Sequence, residues 1–483
     1  MPRSAFASKT FVLKLTVVIK TALRRIIFVN HFKTDSYFFF LFTLIENNLV
    51  PLRSIFMQHV EQIFNEMEIK RDMYLQQLID SRGNGMIKII TGIRRSGKSY
   101  LLFNIFTSWL ESQGVDENHM IKVNLEDRRN RKLRDPDALL AYIDAKMADD
   151  APYYILLDEV QLVREFEDVL NSYLHVHNAD VYVTGSNARF LSKDVITEFR
   201  GRGFEIRVMP LSFREFFSVY NGSKQLALDE YMTYGGLPQI CSLPTEKGKA
   251  EYLKGLFEET YIRDIKERYH VQKEDELSDL INIISSSVGS LTNPRKLANT
   301  FLSVKNERVS QDTIKSWLEY LCDSFLVSKA VRYDVKGKNY IDTPSKYYFS
   351  DLGLRNARIN FRQDEKPHIM ENVIYNELLA RGFNVDVGVV PIQVRDEEGK
   401  LKRSQLEIDF VCNQGSRRYY IQSAFRIESD EKEAQEQASL LRVDDSFKKI
   451  IVLGEECLVH RNVYGITTMS IYDFLMNENS LEL

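Results

Sequence analysis

The sequence predicts an α/β fold: a mainly parallel sheet with helices on both faces, then a helical region, then a second α/β unit. Two observations carry this expectation. Short apolar runs recur between stretches of helical periodicity from Met86 to Val208, and the first run opens into a glycine-rich turn followed by a helix. The 483 residues, 44% hydrophobic and 27% charged, suffice for two to four folded domains. That composition argues against a disordered, collagen-like or coiled-coil chain. The four cysteines, Cys241, Cys322, Cys412 and Cys457, form no CxxC pair, which speaks against a disulfide scaffold or zinc finger and for the reducing cytoplasm.

Residues 1–56 differ from the rest. They carry eight basic and two acidic residues, a balance of +6, within a chain whose total is −4. The apolar stretch Phe11 to Val29 is interrupted by Lys14, Lys20, Arg24 and Arg25, and Tyr37 to Ile45 is short. Neither makes a comfortable membrane span or signal peptide. The expectation is a basic extension, read as an upstream in-frame translation or a disordered tail, with the working protein opening near Met57. A membrane-surface or targeting segment is the alternative.

The remaining elements follow in order. Met86–Thr91 (MIKIIT) is the first strand. Lys98 to Gln113 carries Leu101, Leu102, Ile105, Phe106, Trp109 and Leu110 at helical spacing, with Gly114 as the stop. Met120–Leu125, Tyr153–Leu157, Val181–Thr184 and Phe204–Val208 are four further strands, separated notably by helices over Pro136–Met147 and Val163–His175. Helices are also expected at Tyr252–Arg268, Leu277–Val288, Asn293–Val304 and Gln311–Phe325, the last capped by Ser310.

The strongest motif is Gly92-Ile93-Arg94-Arg95-Ser96-Gly97-Lys98-Ser99, which meets GxxxxGK[ST] at every fixed position between a strand and a helix. Glycines let the loop curl so that backbone N–H groups and the helix N-terminus face phosphates. Lys98 is expected to reach the β and γ phosphates of ATP, with the Ser99 hydroxyl in the Mg²⁺ shell. Tyr153 to Glu159 is an apolar strand ending in two acids, the form of a Walker B element. Asp158 is expected to hold Mg²⁺, and Glu159 to orient and deprotonate the attacking water, with Gln161 as a weaker helper. Ser186 and Asn187, after the next strand, are candidate sensors of the γ-phosphate, although polar residues there also serve as turn-formers. Arg202, rather than Arg200, is the candidate arginine for charge on the transferred phosphoryl, within one subunit or across two. No NKxD element follows the loop, so adenine is the default base.

GIRRSGKS, LLDEVQ, TGSNARFLS, GRGFEIRVMPLSFREF and YGGLPQI, with YYFSDLGLRNAR, ENVIYNELLARGFNVDVG, EIDFV and YYIQSA further on, together resemble bacterial and archaeal AAA-type P-loop ATPases that carry a C-terminal domain of unknown function. The resemblance runs from about Met57 to the C-terminus. It implies a five-stranded sheet with the catalytic glutamate on the strand next to the loop, a helical or winged-helix part, and a restriction-endonuclease-like domain. The expected divisions are an ATPase domain over 57–215, a helical lid and winged-helix-like region over 216–340, and a degenerate endonuclease-like domain over 341–483.

Within the middle region, Lys336-Gly337-Lys338 would tip a β-wing. Residues 277–333 hold only seven basic against five acidic residues, so packing against the ATPase competes with DNA binding. An endonuclease-like site requires an acid on a helix, an aspartate on a strand and ExK on the next. Glu371 (with Glu377 on the same helix) and Asp409 fill the first two places, but Gln422 and Ala424 stand where ExK should be. A nuclease-derived binding module is therefore expected over an active nuclease.

The reading is a Mg²⁺-dependent ATPase that couples ATP hydrolysis to a conformational change on a protein or DNA partner, with no stable membrane insertion and with homo-oligomerisation open. An ATP-switched binding module with negligible turnover is the alternative, followed by an ATP-gated nuclease.

Overall fold

The computed structural model describes residues 69–185, 201–362, 365–395 and 401–483. Five strands form the first sheet: β1 (Ile87–Thr91), β2 (Met120–Asn124), β3 (Tyr153–Asp158), β4 (Ala179–Thr184) and β5 (Gly203–Arg207). Their order is β2-β3-β4-β1-β5, with every pairing parallel. β1 and β3 are buried along their whole lengths, as a parallel strand covered on both faces must be. Alternate residues go to opposite layers. Ile87, Ile89, Ile155 and Leu157 meet the helices Pro136–Asp144 and Phe166–Tyr173, while Ile90, Tyr154 and Leu156 meet Asp72–Asp80 and the helix after the glycine turn. That last helix is α-helical at Lys98–Tyr100, π-helical over Leu101–Phe106 and α-helical again at Thr107–Ser112.

The order corrects one expectation. The strand bearing Glu159 is not the neighbour of β1, because β4 lies between them.

The helical region includes Glu246–Leu256, a π segment Phe257–Ile262 and Arg263–Tyr269, where the sequence suggested one uniform helix. Helices Glu274–Ser286, Pro294–Lys305 and Gln311–Asp323 follow. The next two strands, β6 (Val327–Asp334) and β7 (Asn339–Phe349), form a hairpin whose turn is held by Asp334 Oδ1 accepting the Lys336 and Gly337 N–H groups. A bridge joins Thr292 to Ser345 of β7.

This hairpin is not a free wing. With β8 (Asn384–Arg395), β9 (Leu401–Gln414), β10 (Arg417–Ala424), β11 (Lys448–Leu453), β12 (His460–Arg461) and β13 (Ile466–Ser470) it builds a mixed sheet ordered β12-β13-β11-β10-β9-β8-β6-β7. The division expected at residue 340 therefore cuts a hairpin, and the second sheet begins at Val327.

One apolar core runs from the helical region into this sheet, including Leu237, Ile240, Ile281, Trp317, Leu354, Ile374 and Phe410. Asp351 lies at the junction. It is buried, and its carboxylate accepts the N–H of Gly236 at 2.8 Å and of Leu354 at 3.0 Å. A side chain at Gly235 would begin 2.3 Å from Asp351 Oδ1, so only glycine permits this approach. Burial pushes the Asp351 carboxyl up to about 6, while main-chain N–H groups of Gly236, Leu354, Gly353 and Leu237 oppose that rise. Among the described residues no helix is long and apolar enough to cross a membrane.

Asp351→Ala leaves buried N–H groups of both segments without an acceptor. It is expected to cost about 2–5 kcal/mol of stability at two orphaned donors, read as a lower urea midpoint. An unchanged midpoint would show that the junction does not depend on this carboxylate.

Candidate nucleotide site

The carboxyl ends of β1, β4 and β3 share one edge, since Ile90 is level with Thr184 and Leu157 with Val183. Crevices outside such an edge are where parallel α/β sheets bind ligands. The chain leaves β1 through Gly92 at φ +133°, where a Cβ would lie 2.2 Å from the Val208 carbonyl oxygen. Arg95 at φ +66° and Gly97 at φ +94° complete the curl into the helix at Lys98.

Lys98 is buried, and its Nζ donates to the carbonyls of Gly92 and Ile93, both at 3.0 Å. Burial lowers its pKa to about 8. The charges of Glu159 and Asp158 raise it in opposition, and Arg94 lowers it further. Ser99 Oγ donates to Asp158 Oδ1 at 2.8 Å, and Thr184 Oγ1 donates to the same oxygen at 2.5 Å. Burial raises the Asp158 pKa despite these two donors. Glu159 follows in a left-handed conformation at φ +54°, its N–H donating to Thr184 Oγ1 at 3.0 Å. Gln161 Nε2 donates to the Glu159 carboxylate.

The loop is gripped from outside the sheet. Arg71 donates to the Ser96 carbonyl at 3.2 Å and the Met209 carbonyl at 2.6 Å, and pairs with Glu215 at 3.1 Å. Tyr261 OH donates to the Arg94 carbonyl at 2.7 Å, Arg94 Nη1 meets Asp264 Oδ2 at 3.1 Å, and Pro238 packs against Gly97.

Gly92 to Ser99, Asp158 and Glu159 are therefore gathered at one edge, as their motifs predict. Ser186, Asn187 and Arg200 lie outside the described residues. Arg202 is exposed and sits at the opposite end of the sheet, because the next residue, Gly203, pairs with Ile87 at the start of β1. Four residues of strand separate that end from the loop, roughly 13 Å. Within one chain, β5 therefore carries Arg202 away from this loop.

Thr184, Arg71, Tyr261 and Asp264 escaped the sequence reading. Thr184 could have been found as the last strand residue before Gly185. The other three carry no local signal.

The residues fit a nucleotide triphosphate with magnesium. Ser96 Oγ is buried without a hydrogen-bond partner among the described residues, Lys98 donates to its own loop, and Ser99 with Asp158 offers paired oxygen ligands.

The second sheet gathers a different cluster. Glu371 lies on the helix Lys366–Ala380, and Glu407 and Asp409 lie on β9. Lys346 of β7 is buried among them, 2.8 Å from Glu371, 2.7 Å from Glu407 and 3.8 Å from Asp409. Tyr348 OH donates to Glu371 at 2.5 Å, and Ser423 N–H donates to Asp409 at 2.8 Å. Burial pulls the Lys346 ammonium down, yet the charges of Glu371, Asp409 and Glu407 together raise it above its usual value. Burial and the Glu371 charge raise Asp409, against Lys346. Gln422 and Ala424 occupy β10 as expected, and Glu377 pairs with Arg381 at 2.8 Å. Lysine is thus present at the acids, but from β7. Among the described residues no group of three or more His, Cys, Asp or Glu side chains is arranged to hold a metal ion.

Sheet order, loop and paired acids define an AAA-type P-loop protein, and residues 84–217 match the AAA domain family. Residues 225–365 match a domain of unknown function, DUF8612. The chain belongs to the family of an uncharacterized protein of Haemophilus influenzae, with which it is 34% identical over 416 residues, 84% of this chain and 98% of that one. An uncharacterized protein of Methanocaldococcus jannaschii is 28% identical over 387 residues, 77% of this chain and 82% of that one. Among solved structures, the Aeropyrum pernix ORC1 protein in complex with DNA is similar at 14% identity, covering 60% of this chain and 92% of that one. Its TM-score of 0.25 is too low to support an argument.

Two outcomes follow from the charges. The Lys98 pKa near 8 means the folded loop disfavours the ammonium below about pH 8, and that penalty fades as pH rises toward 10.5. Phosphates reverse the preference, so nucleotide binding is expected to take up a proton between about pH 8 and 10, with affinity falling up to about tenfold per pH unit. Calorimetry in two buffers of different ionisation heat at pH 8.5 tests this; equal heats would refute it. Separately, Lys346→Met strands buried carboxylates and is expected to cost about 3–5 kcal/mol in urea unfolding. Adding Glu371→Gln should recover part of the loss, and no recovery would argue against charge balance as the cause.

Proposed function

We propose that this protein binds ATP with magnesium and hydrolyses it, using the cycle to change the arrangement of its own helical region and thereby of a bound partner. The supporting observation is the joining of Lys98, Ser99, Asp158 and Glu159 at one sheet edge, with the ammonium already drawn inside the loop. In this reading the Lys98 ammonium leaves the Gly92 and Ile93 carbonyls for the β and γ phosphates. Ser99 Oγ and Asp158 Oδ1 would hold the magnesium, which when bound would supply positive charge to the phosphate tail. Glu159, oriented by Gln161, receives a proton from the attacking water on its carboxylate. Thr184 fixes both acids, accepting from one main chain and donating to the other side chain. Arg202 acts only across a subunit boundary, and Ser186 or Asn187 senses the γ-phosphate.

The partner surface is assigned to the winged-helix-like region and the second sheet, and a protein is favoured over DNA. Helix Gln311–Asp323, which would enter a groove, carries Asp312, Glu319 and Asp323 against Lys315, and its Tyr320 is stacked on Tyr269 at 3.7 Å. Acids facing phosphates oppose DNA binding. The sheet is read as a nuclease-derived binding module, because Lys346 neutralises the acids a metal would need.

Lys98→Ala is expected to lower ATP affinity by at least about a hundredfold through loss of a buried charge-assisted contact. Glu159→Gln should keep ATP binding and slow turnover by about 10²–10⁴-fold. Phosphate release and equilibrium binding measure the two. Normal turnover in Glu159→Gln would remove Glu159 as the base, and tight ATP binding with no wild-type turnover, with or without DNA, would favour the switch.

A further inference from the structure

We infer that Arg94 gives the terminal phosphate of bound ATP a second cation from within the same subunit, and that Asp264 is its positioning residue. The inference rests on the nucleotide reading above and adds the group that tells a triphosphate from a diphosphate.

Arg94 is the third residue of the loop, between Gly92 and Gly97, where the main chain curls over Lys98. Its charge is close enough to Lys98 to contribute to the lowered pKa of that ammonium. The guanidinium is oriented by Asp264 through Nη1, while the Arg94 carbonyl is fixed by the Tyr261 hydroxyl. Main chain and side chain are thus held from one continuous helical run, π-helical through Phe257–Ile262 and α-helical through Arg263–Tyr269. π segments inside helices recur at functional positions.

Stability does not account for the pair. The Arg94 and Asp264 side chains are 41% and 29% exposed, and an ion pair in that setting is worth about 0–1 kcal/mol. What it does provide is direction. A planar guanidinium has five N–H donors and can serve a carboxylate and a phosphate together.

Lys98 is flanked by two acids, Asp158 and Glu159, whose charges it would share with the phosphates. Arg207, at the loop end of β5, lies over Phe325 and donates to Ser328 Oγ at 3.0 Å, so it is committed to the second sheet. Arg95 is the competitor within the loop, but it is exposed, and among the described residues no salt bridge joins it to an acid.

The test is calorimetric titration of ATP and of ADP, each with magnesium, into wild type, R94A, R94K, R95A, D264N and R94A/D264N. R94A is expected to weaken ATP about tenfold or more and ADP less than about twofold, the loss of one charge-assisted contact to the terminal phosphate. R94K should recover part of the ATP preference. D264N should shift the ATP-to-ADP ratio in the same direction by about three- to fivefold and add nothing in the R94A background, as for two residues acting through one contact. Equal losses for both nucleotides in R94A, or a ratio moved by R95A instead, would overturn the inference while leaving the nucleotide reading intact. Wild type that takes up neither nucleotide would overturn that reading, and this inference with it.

Discussion

A buried ammonium bonded to two main-chain carbonyls is a demanding thing to build, and the arrangement of the ATP-binding half follows from building it. Lys98 is drawn out of water, so its charge costs free energy that only nearby acids and carbonyl dipoles offset. The carbonyls follow β1 and the acids lie at the end of β3, so both strands must end at one edge to supply them. The order β2-β3-β4-β1-β5 does this by placing β4 between the loop strand and the acid strand. Thr184, at the end of that intervening strand, bonds to Asp158 and to the Glu159 main chain at once. Had β3 adjoined β1, no such spacer would separate the acids from the ammonium.

The same loop is the meeting point of parts far apart in sequence. Arg71 reaches its Ser96 carbonyl from the segment before the first helix, and Pro238, Tyr261 and Asp264 reach it from the helical region. Gly235 and Gly236, just before Leu237 and Pro238, lie against Asp351 at the head of the helix Leu352–Arg358. That helix ties back through Asn356, which donates to the Met232 and Thr233 carbonyls, and through Arg355, which donates to Ser285. A displacement of the loop therefore has a contiguous packed route to the second sheet. Contiguity alone is not coupling, but it supplies the rigid parts that coupling requires.

Legibility in the sequence divided along the range of the interactions. The five strands of the first sheet were readable because each is a short apolar run with a helix between, and the loop because its spacing is fixed by phosphate geometry. Sheet order was not readable in that way, and the resemblance placed the glutamate strand one position too near. The hairpin β6–β7 was seen as local alternation, yet its pairing with β8, more than fifty residues on, has no local signature. Arg202 illustrates the same limit: adjacency to a strand was legible, but which end of the strand faces the loop depends on register.

Lys346 carries that argument to the second sheet. In SKYYFS it reads as one basic residue in an apolar run, and only the fold brings it to acids 25, 61 and 63 positions away. Three carboxylates packed without a cation would repel one another, and burial together with the Glu371 charge raises the Asp409 pKa even with the lysine present. The buried acids require neutralising, and neither Gln422 nor Ala424 on β10 carries a charge. An ammonium from β7 answers that requirement with one charge and fixed direction, where a divalent ion would need more oxygen ligands than Gln422 and Ala424 can add. The cluster is thus held together by electrostatics that favour a permanent internal cation.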